Sequence, residues 1–306
     1  MSNNSSPVTD STAFAMVCLA TASLAFKGIF AKLALQAGLT VAAVLLFRAL
    51  FATPLFALVM RWRNGKRSVS SPNRRDVWLA IACGNLFTLA TALDIYALSI
   101  MDVGVSRAIL FTFPLFVQLL GMLHQRRRPQ RRELLTFAVA YSGLLLMLGV
   151  FEVNESRLPP VGVLCVFGSA ASYGAYLYYG RNLSLRLGAD RFNFLSNSST
   201  LLVFLFAAPF FATSADLSFS WDGMVWIAGL VVISTVIPFL LLFEGMRTIE
   251  AAQATLISLA SPVISLSFAA YLFDERVSGL QMVGFVLVLL GVSLLKLPLP
   301  KFLLRG

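Results

Sequence analysis

The sequence predicts an all-α integral membrane protein: ten transmembrane helices arranged as two inverted-topology five-helix repeats, with both termini cytoplasmic. Three observations carry that prediction. The 306 residues are 58% hydrophobic and 12% charged, and the apolar residues fall in runs of bilayer-spanning length. The net charge of +10 is gathered on alternate connectors. The chain also matches itself at an offset of 148 residues.

A bilayer core about 30 Å thick takes roughly 20 apolar residues rising 1.5 Å each. Runs between charged or Pro/Gly-rich breaks give ten candidates, at about 12–35, 40–60, 77–99, 104–123, 132–151, 159–181, 192–213, 222–245, 250–271 and 278–297. The breaks at 99–104 and 245–250 are the weakest, marked by Asp102 and by Arg247 with Glu250. The tail 1–11 is polar and holds no Lys or Arg, so the first span reads as an uncleaved helix rather than a signal peptide. Residues 12–150 make the first repeat, 159–297 the second, and 298–306 a basic tail. No connector much exceeds fifteen residues, which leaves no room for a soluble catalytic domain. Cys18, Cys83 and Cys165 all fall inside spans, with no CxxC pair and no disulfide framework.

The basic residues choose the orientation. Eighteen of the 24 lie on the side that holds both ends, including Arg61, Arg63, Arg74 and Arg75, the run from Arg126 to Arg132, then Arg181, Arg186, Arg191 and Arg247. The opposite side has Arg157 and Arg276 in loops, with Lys32 and Arg107 near helix ends. The excess of Lys and Arg in cytoplasmic loops assigns the richer side to the cytoplasm, and the protein to a plasma (bacterial inner) membrane. The clusters flank apolar spans and are not interleaved with an aromatic RNA-binding surface, so nucleic acid is not a predicted partner.

The self-match aligns the stretch starting at Ala97 with the one starting at Gly245, without a gap. Ile109 meets Ile257, Pro114 meets Pro262, Phe137 meets Phe285 and Gly143 meets Gly291, while Asp102 coincides with Glu250. Five spans per half is an odd number, so the second half enters from the opposite face. The connector from His124 to Glu133 holds five arginines, and its counterpart holds Asp274, Glu275 and one arginine. That change of sign is expected of inverted repeats, which imply two conformations of similar energy around a midplane site.

The residues that carry a resemblance are FKGIFAKLAL in the first span, LLFRALFATPLF in the second, and the paired stretches ALSIMDVGVSRAILFTFPL and GMRTIEAAQATLISLASPV. On these the chain resembles the ten-helix EamA-type branch of the drug/metabolite transporter superfamily, over about 12–150 and 159–297. The resemblance implies a secondary transporter, in a family whose members include exporters of amino acids and other small metabolites. A nucleotide-sugar or sugar-phosphate exchanger of the same superfamily is the alternative, and its phosphates should demand more buried cations than Lys27 and Arg48.

Polar groups in hydrocarbon are costly and normally face the bundle interior or a wet cavity. Helical spacing groups Ser23 with Lys27 in the first span, and Asn85, Thr88 and Tyr96 in the third. It groups Pro114 with Gln118 in the fourth, Ser172, Tyr173 and Tyr176 in the sixth, and Ser258 with Ser261 in the ninth. These are the candidate cavity residues. Small Ser, Gly and Ala stripes also serve as ordinary helix contacts, and Ser hydroxyls bond to their own helix backbone. Pro114 and Pro262 each remove a backbone hydrogen bond, producing either a static bend or a gating hinge. Lys27 and Arg48 lie at equal depth. They jointly attract an anionic group, or each is a structural cation, with Asp94 as the acid nearest in depth for an intramembrane ion pair. Arg48 leans to the structural role and Lys27 to the functional one. Glu244, near a cytoplasmic helix end, is expected to be hydrated.

No GxxxxGK[ST] loop occurs, so ATP is not expected to drive the process. No HExxH or GxSxG motif occurs, and the single histidine, His124, sits at a membrane edge beside arginines. An intramembrane enzyme is therefore the low-ranked rival, and no cofactor or metal is implied. The implied partners are a small-molecule substrate and the lipid bilayer. The sequence carries no signal for or against a homodimer.

Overall fold

A computed structural model describes residues 10–64, 72–100, 106, 109–126, 130–147, 159–211, 221–264 and 278–294. Among these the only regular secondary structure is helical. The termini, Asp102, Arg107, the loop bearing Asp274 and Glu275, and part of the arginine run after His124 lie outside the described residues.

The helices follow the apolar runs. The first run holds α1 (Asp10–Ala25) and α2 (Lys27–Gln36), separated at Phe26. Next come α3 (Val41–Asn64), α4 (Arg74–Ile100), α5 (Phe113–Gln125) and α6 (Arg131–Met147). The second half has α7 (Pro160–Leu187), α8 (Ala189–Phe211), α9 (Trp221–Val231), α10 (Ile237–Gly245), α11 (Ala251–Ile257) and α12 (Gly279–Ser293). A π-helical turn, Val232–Val236, joins α9 to α10 into one apolar stretch. The turn between α7 and α8 is Gly188, whose φ of +86° suits a residue without a Cβ.

Five segments are long and apolar enough to cross a membrane: Asp10–Ala31, Ala42–Arg63, Arg74–Asp94, Pro160–Leu187 and Trp221–Gly245. Phe113–His124, Ala251–Ile264 and Met282–Ser293 are shorter apolar helices. Large side chains such as Leu58, Trp78, Leu164 and Phe206 stand exposed on the outside, as lipid-facing residues do.

The halves are interleaved. α1 packs on α10, α2 on α9, α3 on α8, α4 on α7 and α8, α5 on α7 and α11, and α6 on α12. Small residues make the closest approaches possible. A Cβ added at Gly84 would strike the Ser196 backbone, and one added at Gly174 would reach the Phe113 carbonyl. Gly143 faces the Gly284 carbonyl and Val288, while Gly291 faces Ala140. Both glycines of the repeat thus lie in one contact, Gly291 on Ala140 and Gly143 on Val288, each three residues off register.

Both repeat-matched prolines stand where regular α-helix is interrupted. Thr112 forms a turn ahead of Pro114, its hydroxyl donating to the Ile109 carbonyl at 2.7 Å, and Pro114 occupies the first turn of α5. Pro262 follows a 3₁₀ turn, Ser258–Ala260. A proline at a helix start gives up an N–H that has no partner there anyway. The break therefore precedes the proline in each case.

Candidate functional site

Five helices, two from the first half and three from the second, bring aromatic side chains to one place in the core. Phe87 of α4 lies 5.0 Å from Tyr176 of α7 and 5.4 Å from Phe239 of α10, centroid to centroid. Tyr176 meets Phe243 at 5.6 Å and Phe192 of α8 at 5.9 Å. Tyr173 packs edge-on to Phe113 of α5 at 5.0 Å. Gly180, one turn from Tyr176, leaves room for the Phe192 and Phe243 rings, which a Cβ would meet at 2.8 Å. Edge-to-face and tilted pairs at these separations suit ring quadrupoles.

Arg48 of α3 enters this cluster. It is 3% exposed, and its guanidinium carbon sits 5.5 Å from the Phe87 centroid. Its Nε and Nη2 have no hydrogen-bond partner. Among the described residues no carboxylate is within ion-pair distance of it. The Tyr176 phenol faces Arg48, Ser196, Cys83 and Tyr173. The Cys83 thiol in turn approaches the Tyr176 carbonyl at 3.6 Å.

The other predicted residues are distributed unevenly. Thr88 is buried, donates to the Gly84 carbonyl at 3.1 Å and is 3.0 Å from the Thr200 hydroxyl of α8. Gln118 is buried, with Nε2 lacking a partner. Asp94 is buried on the face of α4 that carries Cys83, Phe87 and Thr91, and is engaged there. Tyr96 stands on the other side of that helix, 52% exposed. Asn85 is also exposed, accepting from the Ser199 hydroxyl at 2.5 Å. Ser23 and Ser172 are half-buried, and Lys27, half-buried and partnered, opens α2. Ser258 donates to its own helix at Ala254, 3.1 Å away, and Ser261 is half-buried.

Sequence reasoning overlooked α8. Asn193, Ser196, Asn197, Ser199 and Thr200 are all buried. Asn193 Nδ2 donates to the Phe239 carbonyl at 3.2 Å, tying α8 to α10, while its Oδ1 has no partner. The signal was present: five consecutive polar residues, Ser196 to Thr200, interrupt an apolar span.

One end of the bundle is cross-linked by basic residues. Glu244, at the end of α10, bonds to Arg63 of α3 at 3.3 Å and to Arg247 at 2.9 Å. It is 9% exposed, so the expectation of a hydrated carboxylate is corrected: two guanidinium groups cover it. Arg181 Nε donates to the Met246 and Ile249 carbonyls at 2.8 and 3.0 Å, and Arg186 pairs with Asp76 at 3.2 Å. A cavity of about 20 Å³ remains there, between Gly121, Arg181, Asn182 and Glu250. At the other end a recess of about 420 Å³ opens between Leu33 and Gln36 of α2 and Val225 and Trp226 of α9.

The described helices form an apolar bundle with a buried polar and aromatic centre. The profile of the EamA-like transporter family matches residues 11–149 and again 160–297, and the chain belongs to that family. It is therefore a multi-pass membrane protein of a transporter family. It is 30% identical to the uncharacterized transporter YcbK of Bacillus subtilis over 278 residues, 87% of this chain and 86% of that one. It is 24% identical to the protein PagO of Salmonella typhimurium over 251 residues, 81% of each. A solved crystal structure superposes with a TM-score of 0.78 over 94% of this chain and 98% of the other, at 15% identity, which establishes likeness of fold.

Proposed function

We propose that the chain is a secondary transporter that exports amino acids or similar small metabolites by alternating access, with both termini in the cytoplasm. The observation that carries this reading is the pairing of breaks at Pro114 and Pro262, beside α5 and α11, which pack on each other across the two halves. Two matched weak points let each half take up the other's conformation, which supports inward-open and outward-open states of similar energy. The basic, cross-linked end is the cytoplasmic one, so the described conformation is closed towards the cytoplasm, with its recess facing out. A sugar-phosphate exchanger is disfavoured because Arg48 is the one buried cation among the described residues.

The test is transport of a labelled metabolite panel by purified protein in liposomes, with and without a pH gradient. Movement without ATP is the expected result. Strict dependence on ATP overturns the mechanism.

A further inference from the structure

The arginines of this molecule supply their own standard of comparison. Arg181 gives Nε to two carbonyls, Arg132 gives Nε to the Leu294 carbonyl at 2.5 Å, Arg63 and Arg247 share Glu244, and Arg186 holds Asp76. Each of these arginines is tied to an acceptor. Arg48 is buried more deeply than any of them, yet it leaves Nε and Nη2 unsatisfied. The Phe87 ring answers its charge in part but none of its directed N–H bonds. Buried polar groups are otherwise hydrogen-bonded, and an unpaired buried cation is among the most expensive features a fold can retain. A purely structural arginine at this depth could have been a leucine.

We infer that Arg48 is the anion subsite of the transport pathway and takes the carboxylate of a solute whose apolar body packs against Phe87, Tyr173 and Tyr176. This deepens the transport reading and rests on it. A guanidinium presents parallel N–H donors that match a carboxylate's two oxygens, a match the ammonium of lysine does not reproduce. A phosphate dianion asks for a second cation, and none is buried among the described residues. The rings around Arg48 exclude water and favour a solute with an apolar tail. The Tyr176 phenol, beside Arg48 and hydrogen-bonded to Ser196 of α8, is placed to hold the remainder of a polar head.

The experiment measures thermal stabilisation of the full chain in lipid nanodiscs. The probes are L-leucine, L-phenylalanine and 3-phenylpropionate, set against L-leucinamide, L-phenylalaninamide and phenyl phosphate. The carboxylates are expected to raise the Tm, with the amides weaker by about tenfold to a hundredfold, the value of a charge-assisted hydrogen bond. Arg48→Gln is expected to lose the response without lowering the ligand-free Tm, and Arg48→Lys to weaken it. The comparison of acids with amides needs only the wild-type chain and stands even if a variant fails to fold. Amides or phenyl phosphate acting as well as the carboxylates overturn the subsite, as does a wild-type chain that answers to none of the carboxylates. Counterflow of labelled leucine and phenylalanine in liposomes separates the two readings. Transport that treats acid and amide alike removes the subsite and leaves the transporter, whereas a panel in which nothing moves removes the transport reading.

Discussion

Gly143→Ala and Gly291→Ala place one carbon each in the contact between α6 and α12. At Gly143 the new Cβ would lie 2.6 Å from the Gly284 carbonyl oxygen and 2.7 Å from the Val288 nitrogen; at Gly291 it would lie 2.6 Å from the Ala140 nitrogen. Ordinary carbon contacts are about 3.5–4.0 Å, so the helices must part by about 1 Å. The obstructing atoms are backbone or Cβ atoms, and no rotamer change relieves them. Overpacking of this kind costs about 1–3 kcal/mol for each single substitution. The two sites share one interface, so a separation forced by the first accommodates much of the second. The double variant should then cost less than the sum, with a coupling of about 0.5–3 kcal/mol. Gly279→Ala, with nothing within 4 Å of its Cβ, is the control. Unfolding of the full chain in mixed micelles by a graded denaturing detergent gives each value. Single variants indistinguishable from the control, or a strictly additive double variant, would falsify the reciprocal contact.

Two further outcomes follow from the same geometry. Pro114→Ala and Pro262→Ala restore a backbone N–H at a helix break; each should reduce the transport rate several-fold while leaving solute binding within about twofold, and an equal loss of both would assign the prolines to folding alone. Glu244→Gln removes the charge that Arg63 and Arg247 share; part-exposed pairs of this kind are worth about 1 kcal/mol, so an Asn182→Cys reporter at the same basic end should react faster with a thiol reagent in the Glu244→Gln background, and an unchanged rate would refute a role for these pairs in closing that end.

Long apolar runs made the helices legible, because a membrane span states its length in composition alone. The contact at Gly143 and Gly291 was legible as a repeat, although a spacing of 148 residues names two equivalent positions without saying that they meet. Face selection was harder. On α4 the stripe Asn85–Thr88–Tyr96 and the face Cys83–Phe87–Asp94 both carry polar residues, and a membrane helix lacks the polar and apolar contrast that orients a soluble one. The structure turns the second inward and, of the first, buries Thr88 alone. Arg48 could be located in depth but not paired, since partners arise from packing between helices. Glu244 was misjudged for the same reason, its cover coming from Arg63, 181 residues away. The break at Phe26 has no proline and no preceding glycine to mark it.

The packing pattern carries the last step. α3 lies on α8, α5 on α11 and α6 on α12, which are the second and seventh, fourth and ninth, and fifth and tenth apolar runs. Each of these pairs joins an element to its own counterpart. The first run packs on the eighth through α1 with α10 and α2 with α9, and the third packs on the sixth through α4 with α7. Exchange of the halves converts the first of these contacts into the second. A two-fold exchange thus maps the contact pattern onto itself, yet the two ends differ. The basic end is closed by Glu244 and Arg181, and the other holds the 420 Å³ recess. The asymmetry resides in conformation rather than in connectivity. On the proposed alternating-access reading, applying the exchange to the conformation would give a second state with the recess at the basic end, and reaching it would require the Glu244 and Arg181 links to break. On that reading those links set the energy gap between the two states, and arginines that the sequence reading assigns to the cytoplasmic side are the residues that bias the equilibrium.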